Sequence, residues 1–308
     1  MGQSEKRTYH DWYEWGTARL AQAGITEAKL DARLLLESCC GTEYSTLLVH
    51  GDRLLSPDEQ SSYVNYIEER EKRIPLQHLT GKQEFMGLDF YVNENVLVPR
   101  QDTEALVEEV MHCLHDGMRI LDLCTGSGCI LLSLLHYSNG CEGVGVDISE
   151  AALRVAEENA ERILKKLKVP NTRPEETRMA KVQFVQGDLY DGLKKINIKG
   201  NSKNNTKFDI IVSNPPYIRR DVIPTLMPEV KDYEPLMALD GGEDGLDFYR
   251  RIIEGAADYL NGGGMLFMEI GADQGIEVSE MLVKAGYHEV EIVKDLAGLD
   301  RVVRGILF

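Results

Sequence analysis

Asn214-Pro215-Pro216-Tyr217 carries the residue types with the most chemical potential in the chain. It follows Phe208-Asp209-Ile210-Ile211-Val212-Ser213, an apolar run that reads as a buried strand. An amide, two prolines and an aromatic ring therefore fall where a strand ends. The prolines lack N–H donors and fix φ, so the local carbonyls are left free and held in place. Asn214 adds a side-chain oxygen acceptor. Two fixed acceptors beside an aromatic face suit a planar NH₂ group, whose hydrogens are gripped and whose flat π-system is stacked. A conjugated, weakly nucleophilic nitrogen can be held for attack in this way. The competing reading is a strand closed by a proline turn.

Further upstream lies a pattern for holding a nucleotide-like cofactor. Met118 to Leu123 reads as a strand, Cys124-Thr125-Gly126-Ser127-Gly128 as a turn, and Cys129 to His136 as a helix. Strand, glycine turn and helix form the binding unit of a Rossmann-like fold. The spacing from Asp122 lacks the third glycine of the full dinucleotide fingerprint. A second strand, Gly143 to Asp147, ends in a carboxylate about 20 residues past the turn, the place of a ribose-binding acid. Asp147 can alternatively cap the helix that starts near Ser149. A third strand, Lys181 to Gln186, leads into Gly187-Asp188-Leu189. There Asp188 can accept from an exocyclic adenine amine and Leu189 can cover the ring, although Gly-Asp is also an ordinary turn.

The order Asp122-to-Gly128, Asp147, Asp188, Asn-Pro-Pro-Tyr resembles that of S-adenosylmethionine-dependent methyltransferases acting on amide or exocyclic amino nitrogens. More of the chain resembles the HemK/PrmC family, the N5-glutamine methyltransferases of class-1 peptide chain release factors. The matching pieces are Gln77 to Gly81, Glu84 to Phe90, Val98 to Glu104, Tyr233-Glu234-Pro235, Gly241 to Leu246, Glu269-Ile270-Gly271 and Asp295 to Arg304. The resemblance runs from about Trp12 onward. Three positions depart from the family's pattern. Gln101 stands where a proline usually follows the arginine, Cys124 replaces the first glycine of the turn, and Leu189 replaces a position that is often aromatic. The last two should leave a backbone cradle and an apolar cover for adenine.

The resemblance implies methyl transfer from S-adenosyl-L-methionine to a glutamine side-chain amide nitrogen, with S-adenosyl-L-homocysteine as product and no metal. Asn214 Oδ1 and the Pro215 carbonyl would accept the two N–H bonds of the acceptor, and Pro216 and Tyr217 would complete its seat. Cys124, Thr125, Gly126, Ser127 and Gly128 would hold the methionine portion, Asp147 the ribose, and Asp188 with Leu189 the adenine, with Asn214 bordering the cofactor. Arg100 and Glu104 are expected at the acceptor entrance. Two other acceptors share this chemistry: a glutamine of a ribosomal protein, and a nucleic-acid exocyclic amine such as adenine N6, which needs base flipping and usually a basic surface.

These sites need elements to position them. The 308 residues suit one large domain with a small partner. From Asp102 onward strands and helices alternate, which predicts a mainly parallel sheet covered on both faces. The expected fold is α/β: a Rossmann-like seven-stranded S-adenosylmethionine-dependent methyltransferase domain with a small N-terminal helical domain. Its late strands are Gly264 to Glu269, His288 to Val293 and Arg301 to Phe308, and the resemblance makes the last antiparallel. Residues 1–75 read as helices and are assigned to substrate docking, 76–98 as a β-hairpin linker, and 99–308 as the methyltransferase domain. In the first region Trp12, Trp15, Leu20 and Ala23 recur at helical spacing, Gly24 is a stop, and Thr26 is a candidate cap for a helix ending at Gly41. Ser56-Pro57-Asp58-Glu59 is a capping box.

Composition limits the alternatives. A net charge of −17 gains little from phosphate neutralisation, so no direct nucleic-acid partner is expected. The acidic helical region agrees with that. The polar stretches Lys165 to Lys181 and Lys194 to Lys207 should lie at the edge of the sheet remote from ligands and are read as surface loops. Six cysteines show no metal-ligand spacing, which suits small buried side chains in a reducing cytoplasm. Met1 to Arg7 are polar with no apolar run behind them, and no stretch is long enough to span a bilayer. The expected location is therefore cytoplasmic, away from membranes.

Overall fold

The computed structural model describes residues 7–164, 181–195 and 207–308. Both polar stretches, 165–181 and 194–207, lie outside the described residues except at their ends. The chain forms two compact units, Met1–Gly81 with Met227–Tyr233, and Lys82–Leu226 with Glu234–Phe308.

The smaller unit is helical. Helix α1 (Tyr9–Gln22) starts at a capping box in which Thr8 and Asp11 satisfy each other's backbone N–H groups. Helix α2 (Ala28–Cys40) ends at Gly41, whose φ of 60° turns the chain out of the helix. Thr26 is not its cap: the N-cap is Glu27, without a side-chain bond. After α3 (Tyr44–Val49), the Ser56/Glu59 capping box and Pro57 open α4 (Pro57–Glu71), and α5 (Leu76–Thr80) follows. Leu20, Leu35, Leu36, Tyr63 and Ile67 are fully buried, and Trp12 meets Trp15 edge-on at 5.2 Å.

A segment from far along the chain completes this unit. The four-residue helix α9 (Pro228–Lys231) places Glu229 against Arg70 at 3.0 Å and Arg73 at 3.0 Å. Arg70 also binds Asp31 at 2.7 Å. Arg70, Asp31 and Glu229 are all buried, so their charges are matched away from water.

The larger unit starts with a hairpin. Strands β1 (Lys82–Phe85) and β2 (Leu88–Tyr91) are joined by Met86 and Gly87, both with positive φ, as a two-residue hairpin turn requires. Phe85 and Phe90 are fully buried among Leu106, Val107, Leu131 and Leu134. Of the segment expected as a linker, 76–98, Leu76–Thr80 belongs to the smaller unit, and Phe85 and Phe90 are built into the core of the larger one.

The rest follows in alternation: α6 (Glu104–Cys113), β3 (Arg119–Leu123), α7 (Cys129–Tyr137), β4 (Glu142–Asp147), α8 (Glu150–Leu164), β5 (Lys181–Gln186) and β6 (Phe208–Ser213). Then come α10 (Asp247–Ala256), β7 (Leu260–Glu269), α11 (Gly275–Lys284), β8 (His288–Lys294) and β9 (Asp300–Leu307). Seven strands make one sheet in the order β5-β4-β3-β6-β7-β9-β8. β3 to β7 pair in parallel, and β9 runs antiparallel to both neighbours. Ile120, Ile210 and Val212 feed one core, whereas Leu121, Leu123 and Ile211 feed another. Both faces are thus covered, which explains why apolar side chains occupy both faces of β3 and β6. Strand order reverses between β3 and β6, and a crevice opens beyond their carboxyl ends.

Candidate active site

Register brings the sequence motifs to one level. Leu123 pairs with Ser213 and Val146 with Leu123, while Asp147 pairs with Gln186. The glycine turn, Asp147, Gly187-Asp188 and Asn214 all begin where their strands stop. The Ser213 hydroxyl donates to the Leu123 carbonyl at 2.7 Å and fixes the two central strand ends to each other.

A cavity of about 580 Å³ lies across these ends. It is lined by Cys124, Thr125, Gly126 and Ser127 from the glycine turn, by Asp147, Asp188 and Leu189, and by Asn214 and Pro216. Gly128, Pro215 and Tyr217 do not line it. Gly128 has a φ of +79°, and a Cβ there would meet Leu132 at 3.0 Å and Ala156 at 3.2 Å. Its role is close packing of the turn on the helices. Gly126, by contrast, has open space where a Cβ would stand, and so presents backbone to the cavity. Cys124 takes a φ of 60° without being glycine. It therefore keeps the turn that a glycine would form, and burial pushes its thiol up.

Asp147 is tied into the loop. Its Oδ2 accepts from Gly126 N–H at 2.9 Å and its Oδ1 from Ser149 N–H at 2.9 Å. The cap of α8 is Ser149, whose hydroxyl accepts from Ala152 N–H at 3.1 Å. A carboxylate has about four acceptor sites, so each Asp147 oxygen retains room for a further hydroxyl donor. Asp188 pairs with Arg251 at 2.8 Å, and Arg251 itself lines the cavity. The Asp188–Arg251 pairing has no sequence signal, because it joins a loop to a helix about 60 residues later. Leu189 is buried beside it.

Asp122 lies beneath the turn, fully buried, accepting from the Thr125 hydroxyl at 2.6 Å while its Oδ1 has no partner. Burial pushes its carboxyl up to about 7, the nearby charge of Asp147 adds to the rise, and Thr125 opposes it. The folded chain therefore holds this proton more tightly than the unfolded chain. The resulting stability is complete below the ordinary carboxylate range and is lost as pH rises through about 7. Asn is neutral throughout, so the melting temperature of Asp122→Asn minus that of the wild type should increase from acidic to mildly basic pH. A constant or falling difference in thermal denaturation would contradict this.

Asn214 and Tyr217 are anchored from behind. Asn214 Nδ2 donates to Thr103 Oγ1 at 3.2 Å, and the Tyr217 hydroxyl donates to Glu269 Oε1 at 3.3 Å. Burial and the charge of Glu269 push the Tyr217 hydroxyl up, so it remains a donor. Arg100 lines the cavity and donates to the buried Glu234 at 2.6 Å, whereas Glu104 accepts from Met86 N–H at 2.6 Å and serves the hairpin turn. Leu236 and Met237 add exposed apolar side chains to the lining. Among the described residues no group of three or more His, Cys, Asp or Glu is placed to hold a metal ion, and no helix is long and apolar enough to cross a membrane.

This geometry has clear relatives. Residues 11–81 match the PrmC N-terminal domain and residues 114–239 a methyltransferase domain. The release factor glutamine methyltransferase of Geobacter sulfurreducens is 39% identical, over 95% of this chain and 94% of that protein. The protein of that name from Clostridium acetobutylicum is 41% identical, over 90% of each. The solved hMettl16 catalytic domain, 15% identical, covers 72% of this chain and 76% of its own with a TM-score of 0.50, a likeness of fold alone. On the strength of its near full-length relatives, the chain belongs to the release factor glutamine methyltransferase family.

Proposed function

We propose that this protein transfers a methyl group from S-adenosyl-L-methionine to the side-chain amide nitrogen, N5, of a glutamine in a class-1 peptide chain release factor. The observation that carries the proposal is a cavity lined both by the glycine turn and by Asn214 and Pro216. It supports a site in which a cofactor and an NH₂ acceptor meet at the switch point of the sheet.

The residues present suit the cofactor. Gly126 offers exposed backbone, Asp147 has acceptor capacity for ribose hydroxyls, and Leu189 offers an apolar cover. Asp188 Oδ2 is taken by Arg251, which leaves Oδ1 for an adenine amine. When bound, S-adenosyl-L-methionine supplies a methyl group activated by its sulfonium. The protein supplies geometry and electrostatics. Asn214 Oδ1 accepts one N–H bond of the glutamine amide and aims its nitrogen along the cavity, and the Pro215 carbonyl, which does not line the cavity, takes the other on the family resemblance alone. The same acceptors stabilise the positive charge that grows as amide conjugation weakens. The nitrogen becomes acidic only as its new bond forms and then loses one N–H proton to water, so no strong base is needed beforehand. Tyr217 supports the seat from behind the Asn-Pro-Pro backbone.

Two measurements test this reading. Mass spectrometry of a release factor incubated with the enzyme and cofactor should find one added methyl on one glutamine, and replacing that glutamine should abolish the gain. A methyl elsewhere, or none at saturating cofactor, contradicts it. Asp147→Ala should weaken cofactor binding by about 10- to 100-fold, because hydrogen bonds to a charged acceptor are lost. Turnover at saturating cofactor should change less. An unchanged dissociation constant in calorimetry would leave Asp147 with only its loop contacts.

A further inference from the structure

We propose that Gln274 is a positioning residue of the acceptor seat: its side-chain amide clasps the backbone at Tyr217 and thereby fixes where Asn214 and Pro216 stand in the cavity. This rests on the acceptor reading above and deepens it.

The composition of the seat creates the need for a clasp. Pro215 and Pro216 have no N–H and a fixed φ, so this stretch lacks backbone donors of its own and moves as a stiff piece. It has to be held at its ends. At the near end, Ser213 pairs with Leu123 in the sheet and donates its hydroxyl to the Leu123 carbonyl at 2.7 Å. At the far end, Gln274 Nε2 donates to the Tyr217 carbonyl at 3.1 Å. One residue later the Ile218 N–H donates to the Leu239 carbonyl at 3.0 Å, and the Gly241 N–H donates to the Ile218 carbonyl at 2.9 Å. The stiff prolines carry the position of the Tyr217 carbonyl back to Asn214.

Hydrogen counting fixes the orientation of the Gln274 amide. Nε2 also donates to the Gly245 carbonyl at 3.2 Å. Oε1 accepts from the Gly271 N–H at 2.9 Å and from the Tyr249 hydroxyl at 3.2 Å. Backbone carbonyls only accept and a backbone N–H only donates. The NH₂ end must therefore face Tyr217 and Gly245, and the oxygen must face Gly271. Gln274 is 8% exposed and Tyr249 is fully buried, so water competes little for these bonds.

The backbone of Gln274 is equally set. Its N–H donates to the Gly271 carbonyl at 2.9 Å, and its carbonyl accepts from the Val278 N–H at 3.0 Å. Gln274 stands at the N-cap of α11, yet its side chain makes no capping bond. That position favours Ser, Thr, Asp or Asn, whose side chains close the helix end. Gln274 leaves that local role and reaches across to Tyr217 instead. Glycines make the room. A Cβ on Gly241 would stand 2.7 Å from Tyr217 Cα. One on Gly245 would stand 2.5 Å from the Tyr217 carbonyl oxygen and 2.7 Å from Gln274 Nε2, and one on Gly271 2.9 Å from Gln274 Oε1. Two stretches that carry the family resemblance without lining the cavity, 241–246 and 269–271, thus close around one amide.

The test uses the full-length enzyme and a release factor. Gln274→Met keeps the length of the side chain and removes its hydrogen bonds. Its kcat should fall by about 10- to 100-fold, the scale of a misplaced reacting group, with KM for the release factor changed by less than about threefold. Affinity for S-adenosyl-L-homocysteine should stay within about threefold in calorimetry, because Gln274 does not line the cavity. Gln274→Glu keeps the shape and the accepting end. When ionised it turns a charge on the Tyr217 and Gly245 carbonyls, and when protonated it regains one donor. Its kcat relative to that of the wild type should therefore rise at least about fivefold as pH is lowered from about 9 to about 6, the range in which a buried glutamate protonates. A residue that only stabilises the fold would lower the melting temperature and leave both kcat of the folded enzyme and this ratio unchanged. A kcat of Gln274→Met within about threefold of wild type, a parallel loss of S-adenosyl-L-homocysteine affinity, or a flat ratio in Gln274→Glu would overturn the proposal. Should Gln274→Met fail to fold, the Gln274→Glu ratio decides alone. A wild-type enzyme that methylates no glutamine would instead overturn the acceptor reading, and this proposal with it.

Discussion

Alanine in place of Asn214 is expected to lower turnover by about 100- to 1,000-fold, the scale of losing one preorganised hydrogen-bond partner from a site of charge development. Its Nδ2 is already spent on Thr103, so the substitution removes the side-chain oxygen from the acceptor seat. Asn214 also lines the cavity shared with the glycine turn. Even so, Gly126, Asp147 and Leu189 remain, and cofactor affinity should change by no more than about threefold, or under 1 kcal/mol. Single-turnover kinetics with calorimetry would separate the two quantities. Turnover within about tenfold of wild type, a loss of under 1.4 kcal/mol, would show that Asn214 does not orient the acceptor.

The second large effect is on stability. Arg70→Met should destabilise the helical unit by about 3–5 kcal/mol, because removing one partner leaves buried charges uncompensated. Arg70 is 7% exposed and serves both Asp31 and Glu229, which are 6% and 9% exposed. Methionine nearly matches the arginine in length, so most of the loss would be electrostatic. Arg73 also reaches Glu229, which leaves Asp31 as the more exposed casualty. Urea denaturation monitored by Trp12 and Trp15 would follow this unit. A change below about 1 kcal/mol would indicate a pair no more valuable than one at the surface.

Much of the active-site frame was legible because strand ends leave strong marks. Mostly apolar stretches marked β3 and β6, and Gly126, Asp147, Asp188 and Asn214 punctuated their ends and those of their neighbours. The capping box at Ser56 depends on residues close in sequence and is found in the structure. Long-range pairing left no such mark. Thr103 meets Asn214, Arg251 meets Asp188, and Glu229 meets Arg70 across long separations. Glu269 was visible only as part of a resembling stretch, since a single glutamate at a strand end does not announce burial. The start of β7 was placed too late. The expected strand opened at Gly264, yet it begins at Leu260, paired with Phe208 ahead of an irregularity in the register.

Acceptor identity is the central claim, and a competition tests it most directly. The enzyme would be given labelled S-adenosyl-L-methionine with a class-1 release factor, ribosomal proteins and nucleic acid together, and the labelled atom mapped. The account predicts label on the side-chain nitrogen of one release factor glutamine, and its disappearance with Asn214→Ala. Label on a ribosomal protein or on an exocyclic base amine, with the release factor unmodified, would contradict it.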